Sequence, residues 1–212
     1  MSYSDEFSTV DLILNSRAET RGVDAFALSL IKAERQARKL FTYLVYQFPT
    51  FGPADRRGLR RTLAANRRVY FEGVIAGLDA LSQIPVKELV GQEYDRLWSR
   101  FAEFNKHRNK IFHGQVTAEG LSRAYLLGGV KDITLWCRSL GASAAREFGC
   151  DGFVRNSFQK SALPDLWKRF RVQITSLKEY AAFICKHMAR SNPSCSGPRA
   201  RDGRQPAAER ER

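Results

Sequence analysis

Apolar residues recur along most of this chain at three- and four-residue steps, the spacing that gathers them on one face of an α-helix. Val23, Phe26, Leu30, Ala33, Ala37, Leu40, Phe41, Leu44 and Val45 form the longest stripe and predict a helix over about 24–48. Phe48-Pro49-Thr50-Phe51-Gly52-Pro53 ends it, and Pro53 suits the first turn of a second helix, about 54–82, with Leu59, Leu63, Tyr70, Val74 and Leu81 on its face. In that helix the spacing of Gly73 and Gly77 either admits a close neighbour or is simply tolerated. Tyr94, Leu97, Trp98, Phe101, Phe104, Ile111 and Phe112 mark a third helix, about 92–112. A fourth, capped by Thr117 or Ser122, carries Tyr125, Val130, Ile133, Trp136, Cys137 and Leu140 and stops near Phe148-Gly149. A fifth starts near Pro164 and runs from Leu163 through Trp167, Phe170, Ile174, Leu177, Ala181 and Ile184 to Met188. Its nearly heptad spacing suits either the last helix of a bundle or a dimer seam.

The segments between are shorter. Phe7, Val10, Ile13 and Leu14 allow a short first helix, and Ser16-Arg17-Ala18-Glu19 reads as a capping box for the long one after it. Residues 83–91 form a connector with room for one helical turn, and 150–161 is a loop by composition. There is no convincing strand, hairpin turn, repeat or glycine-rich phosphate loop. The fold expected is all-α: an antiparallel bundle of about five helices in one domain over 1–189. From Arg190 the chain turns to serine, proline, glycine and arginine with almost no bulky apolar residue, so 190–212 is expected to be a disordered basic tail.

Composition narrows the class. With 43% hydrophobic and 27% charged residues, the 212-residue chain resembles an ordinary globular protein with a buried core. No apolar run reaches membrane-spanning length and the first residues lack the pattern of a signal peptide, so no membrane is expected and the location expected is cytoplasmic. Cys137, Cys150, Cys185 and Cys195 show no paired spacing, and His107, His113 and His187 are the only histidines. We therefore expect idle thiols, no metal and no cofactor. The formal net charge of +13 changes the picture most, because so basic a surface attracts polyanions, with RNA, DNA and anionic lipid all candidates.

Arg56, Arg57, Arg60, Arg61, Arg67 and Arg68 crowd one side of the second helix and are the candidates for tracking phosphates; a solvated face is the plainer alternative. Lys110 lies beside the third helix's end. In the 150–161 loop, Arg155 and Lys160 mix with Phe153 and Phe158 and could hold an RNA strand, although the two rings could equally pin the loop to the core.

Three polar residues stand inside apolar stripes: Glu34, Asn66 and Arg108. A guanidinium in such a stripe is costly unless an acid, a phosphate or a partner meets it. In a bundle the three would converge, with Glu34 neutralising Arg108 or holding it for chemistry. Five residues after Arg108 comes His113, whose imidazole can move protons near neutral pH.

Arg108-Asn109-Lys110-Ile111-Phe112-His113 resembles the signature of the HEPN superfamily, an arginine followed by a polar residue and, after a short gap, a histidine. Arg100 and His107 repeat the looser form of the pattern but are expected on the opposite, solvated face. The likeness covers roughly 20–148, leaving the loop at 149–161 and the fifth helix outside it. It implies a bundle that forms a homodimer with both motifs in a shared groove, acting as a metal-independent endoribonuclease. By that resemblance Arg108 stabilises the scissile phosphate, Asn109 positions it or orients the histidine, and His113 transfers protons. A toxin or defence effector restrained by an antitoxin-like partner is implied in the same way. The competing readings are a non-catalytic helical module binding RNA or DNA, and a protein-interaction bundle whose arginines only keep it soluble.

Overall fold

The computed structural model describes residues 3–112, 121–154 and 156–189, with side chains placed for all of these except 3, 4, 109 and 112. The fold is all-α. Among the described residues eight helices follow one another: α1 (Tyr3–Asn15), α2 (Arg21–Tyr46), α3 (Arg56–Ala65), α4 (Phe71–Leu81), α5 (Val86–Val90), α6 (Tyr94–Phe112), α7 (Arg123–Phe148) and α8 (Leu177–His187). Short 3-10 turns precede α3 and follow α7. Among the described residues the only β-type pairing is an isolated antiparallel bridge between Ser82 and Phe170. No helix of these residues is long and apolar enough to cross a membrane.

Helix α2 is the hub, lying against α1, α4, α6 and α7. Its last turns show why: Leu40, Phe41, Tyr43, Leu44, Val45 and Tyr46 are all buried, so the helix is apolar on every side there and must be surrounded. The α6 stripe closes the core, with Phe101 stacked 4.7 Å from Phe71 and 5.0 Å from Trp136 of α7. Ser122 caps α7 by accepting the Tyr125 N–H, and Gly149 ends it in the left-handed conformation at φ 77°.

Three expectations need correction. The second helix is two, α3 and α4, broken at 66–70. Asn66 Oδ1 accepts the Arg68 N–H at 3.2 Å and the backbone leaves the helix there, the side-chain competition that makes asparagine a turn residue. Ser16 caps no helix start; its hydroxyl donates to the Ile13 carbonyl and closes α1 instead. The fifth helix does not begin near Pro164. Asp165 takes a left-handed φ of 53°, Phe170 bridges Ser82, and α8 starts only where Ser176 accepts the Glu179 N–H. Half of the stripe is buried: Phe170, Ile174, Ile184 and Met188 enter the core, the first two from non-helical chain, while Leu163, Trp167, Leu177 and Ala181 are partly exposed. Tyr180 and Phe183 stack on Phe41 of α2, which packs α8 into the bundle.

Gly73 and Gly77 do admit a close neighbour. A Cβ on Gly73 would stand 2.0 Å from the Met188 carbonyl oxygen, so α4 and the end of α8 touch backbone to backbone.

Candidate nucleic-acid interface

Helix α2 has a second stripe besides its apolar one. Ile31, Glu34, Arg35, Arg38, Lys39 and Thr42 recur at three- and four-residue steps and line one wall of an open groove of about 710 Å³. Arg60, Leu63 and Ala64 of α3 form the facing wall, the 156–158 segment closes one end, and Arg108 enters from α6. Among the described residues, five cations and one carboxylate, Glu34, therefore surround the space.

Glu34 organises the centre. Its Oε1 accepts from Arg38 Nε at 3.0 Å and Nη2 at 2.9 Å, while Oε2 stands 3.3 Å from Arg108 Nη2. Arg38 also donates to the Val69 carbonyl, in the turn that separates α3 from α4. Both guanidinium groups keep about a quarter to a third of their side-chain surface in solvent, 27% for Arg108 and 31% for Arg38, so they are held yet reachable. Thus Glu34 does meet Arg108, as its place in the stripe suggested. It lies on the groove side of α2, half-buried, and not in the core.

The remaining cations are held differently. Arg35 pairs with Glu6 of α1 at 3.0 Å. Lys39 donates to the Phe153 carbonyl, and burial together with the neighbouring Arg35 holds its ammonium below the ordinary lysine range. Arg60 lies over Phe158, with its guanidinium carbon 4.8 Å from the ring centroid. A strong positive field over an apolar floor of Ile31, Leu63 and Phe158 suits an anion that carries an apolar body.

Asn66 does not join this cluster: it is used in its own turn and lines a second groove, about 610 Å³, between α3 and α8. Arg67 and Arg68 border that second groove, so the run of arginines divides between two sites. Arg57, Arg61 and Lys110 are exposed and line neither groove, and only Arg60 of the run faces Arg108. Lys160 is a pin: its ammonium donates to the Tyr46 and Phe48 carbonyls, at 2.9 Å for the latter, and lies 4.7 Å over the Tyr46 ring. Burial lowers its pKa. Phe153 and Phe158 are buried and fix the loop to the core, the plainer of the two readings of that loop. The side chain of Asn109, and all of His113 and Arg155, lie outside the described residues, as do Thr117, Cys195 and the tail.

Arg100 and His107 are half-buried against Tyr125. Arg100 lies 4.7 Å over Tyr125 and pairs with Glu103 and Asp132, and His107 meets the edge of the same tyrosine ring at 5.5 Å. Cys137, Cys150 and Cys185 are thiols, and burial pushes that of Cys137 far above its ordinary range. Among the described residues no group of three or more histidine, cysteine, aspartate or glutamate side chains is placed to hold a metal ion. Arg35, Arg38 and Lys39 are the residues that reading the apolar stripe passed over. Their signal was the helical spacing they share with Glu34, a polar stripe beside the apolar one.

No protein-family model matches the chain, and neither the curated proteins nor the solved structures compared with it contain a match.

Proposed function

We propose that this chain binds RNA in the groove between α2 and α3 and cleaves it as a metal-independent endoribonuclease of the HEPN type. The observation that carries the reading is the place of Arg108: it reaches a groove with four further cations and is fixed there by the opposite carboxylate oxygen of the glutamate that orders Arg38. A guanidinium so held can meet a phosphate without first giving up its freedom, which favours stabilising charge that grows in the transition state.

In the reaction, the ribose 2′-oxygen attacks the adjacent phosphorus as a base takes its proton. The P–O5′ bond then breaks as an acid protonates the leaving oxygen, giving a 2′,3′-cyclic phosphate and a free 5′-hydroxyl. Arg108 is assigned to the phosphorane charge, Asn109 to orientation, and His113 to proton transfer. One histidine fills one of the two proton-transfer roles, so a homodimer is the natural complement, with a second His113 supplying the other. A toxin or defence role with a restraining protein partner belongs to the same proposal and rests on the resemblance of the Arg108–His113 motif alone.

A second reading has an observation in its favour. The Glu34–Arg108 pair is itself a sufficient reason for an arginine at that position, so a non-catalytic RNA-binding groove accounts for the same contacts. Incubation of the purified chain with total RNA in EDTA separates the two. The nuclease reading expects cyclic-phosphate ends from the wild type and none from His113→Ala; RNA retained but uncut by the wild type would favour the binding module.

A further inference from the structure

The groove holds a feature that a phosphate clamp alone does not need. Four of its five cations are tied to acceptors of the protein: Arg35 to Glu6, Arg38 and Arg108 to Glu34, and Lys39 to the Phe153 carbonyl. Arg60 is held by a ring. Phe158 is 4% exposed and is itself braced edge-on by Tyr46 at 5.4 Å, so the guanidinium rests on a fixed aromatic base. Among the described residues Arg60 makes no hydrogen bond or ion pair, and the residue is exposed on the groove side of α3.

A guanidinium is planar and weakly hydrated on its faces, and here the Phe158 ring backs it from one side. The other offers a stacking plane. Leu63 stands on the same wall, one turn along α3, and Ile31, 43% exposed, faces it from α2. On the α2 side, across from Arg60 and Leu63, Arg38 supplies positive charge together with Arg108 of α6. Together they form a two-part site, a flat apolar shelf next to a cationic wall, that matches the two halves of a nucleotide.

We propose that the Arg60–Phe158 stack is a base-binding subsite, taking the unpaired base of a single-stranded RNA while the adjacent phosphate lies against Arg38 and Arg108. This rests on the RNA-binding part of the proposed function and not on cleavage. A paired base has both faces covered in a duplex, so the shelf selects for unstacked strands.

The test is fluorescence anisotropy with a labelled oligoadenosine hexamer and the same hexamer carrying abasic residues. The full chain is used with His113→Ala, so that cutting does not intrude. Arg60→Lys keeps the charge and removes the plane. It is expected to weaken the hexamer about tenfold, within the range for stacking a base, and the abasic hexamer less than about twofold. Arg60→Ala should weaken both, the abasic one only through lost charge. Thermal unfolding of each variant checks that the Phe158 stack has not been the whole effect. Equal losses for both oligomers, no loss with Arg60→Lys, or no hexamer binding by the parent would overturn the subsite. Base-dependent loss without any cleavage by the wild type in EDTA would retain the subsite and remove the nuclease; cleavage with a base-independent Arg60 effect would do the reverse.

Discussion

Arg108 Nη2 and Glu34 Oε2 stand 3.3 Å apart and tie α6 to α2 at the edge of the groove. Because Oε1 of the same carboxylate holds Arg38, one charge balances two guanidinium groups. Glu34→Gln would leave Arg38 and Arg108 close together with no carboxylate between them. The expected cost is about 1–3 kcal/mol of stability, more than an exposed ion pair gives, since the Glu34 side chain is only 19% exposed. Urea unfolding of Glu34→Gln, Arg108→Gln and the double variant measures it. A coupling energy near zero would show that the two side chains do not depend on each other.

The contact between α4 and α8 predicts an unequal pair of glycine variants. Gly73 faces the Met188 carbonyl oxygen, part of the backbone, whereas Gly77 faces the Met188 side chain, with Cγ at 2.7 Å and Sδ at 2.9 Å from an added Cβ. A methionine side chain can swing aside; a carbonyl at a helix end cannot without moving the helix. Gly73→Ala should therefore lose roughly 2–3 kcal/mol, and Gly77→Ala less than about 1 kcal/mol, by denaturant unfolding. Equal losses would mean that α8 shifts as a body and the backbone contact has no special weight.

The sequence made the helical class legible because the apolar stripes are long and regular, as in α2, α6 and α7. It also pointed to the Glu34–Arg108 pair, since an arginine in the α6 stripe calls for an acid, although Glu34 meets it from the polar stripe of α2 and not from the core. What it hid were events decided by single polar groups. Asn66 reads as one more residue of a continuous helix, and only its Oδ1 accepting the Arg68 N–H shows that the chain turns there. The 163–188 stripe keeps helical spacing although Phe170 and Ile174 reach the core from non-helical chain, because burial fixes which residues point inward but not the route between them. Likewise Lys160 reads as a loop cation, and its commitment to two carbonyls 112 and 114 residues away has no local signature.

If the groove carries the RNA, removing one of its cations should lower affinity more at low salt than at high. Arg35→Ala is suited to this, since the Arg35 side chain is 57% exposed and Lys32 remains to meet Glu6. Its logarithmic salt slope for single-stranded RNA should fall by about 0.7, the share of one phosphate contact. Arg57→Ala, outside both grooves, should leave the slope nearly unchanged. A larger change at Arg57 than at Arg35 would place the strand on the outer face of α3 instead.

Lys160→Ala should behave in the opposite way. With its ammonium given to the Tyr46 and Phe48 carbonyls, the side chain joins the 156–161 segment to the end of α2. Loss of the charged donor is expected to cost about 1–3 kcal/mol in unfolding while changing the RNA salt slope little. A drop in the slope as large as that of Arg35→Ala, with stability kept, would restore Lys160 to the RNA-binding surface.

Asp79 gives a pH dependence whose direction follows from its surroundings. Its Oδ1 accepts the Val86 N–H at 2.6 Å and caps α5, but burial outweighs that bond and the charge of Arg171, so its pKa is raised above the ordinary aspartate value. Between the ordinary value and the raised one, the folded chain holds a proton that the unfolded chain has released. The associated stability is complete below the ordinary aspartate range and is lost as pH rises through the folded value. Asp79→Asn cannot ionise, yet it keeps an oxygen for Val86. It should exceed the wild type in stability at pH 7, with the advantage shrinking as the pH approaches 4. Asp79→Ala, which removes the acceptor, should be less stable than wild type by about 1–2 kcal/mol at pH 7. Urea unfolding of the three proteins at pH 7 and pH 4 distinguishes the terms. An asparagine advantage that is the same at both pH values would mean that ionisation of Asp79 is not what burial penalises.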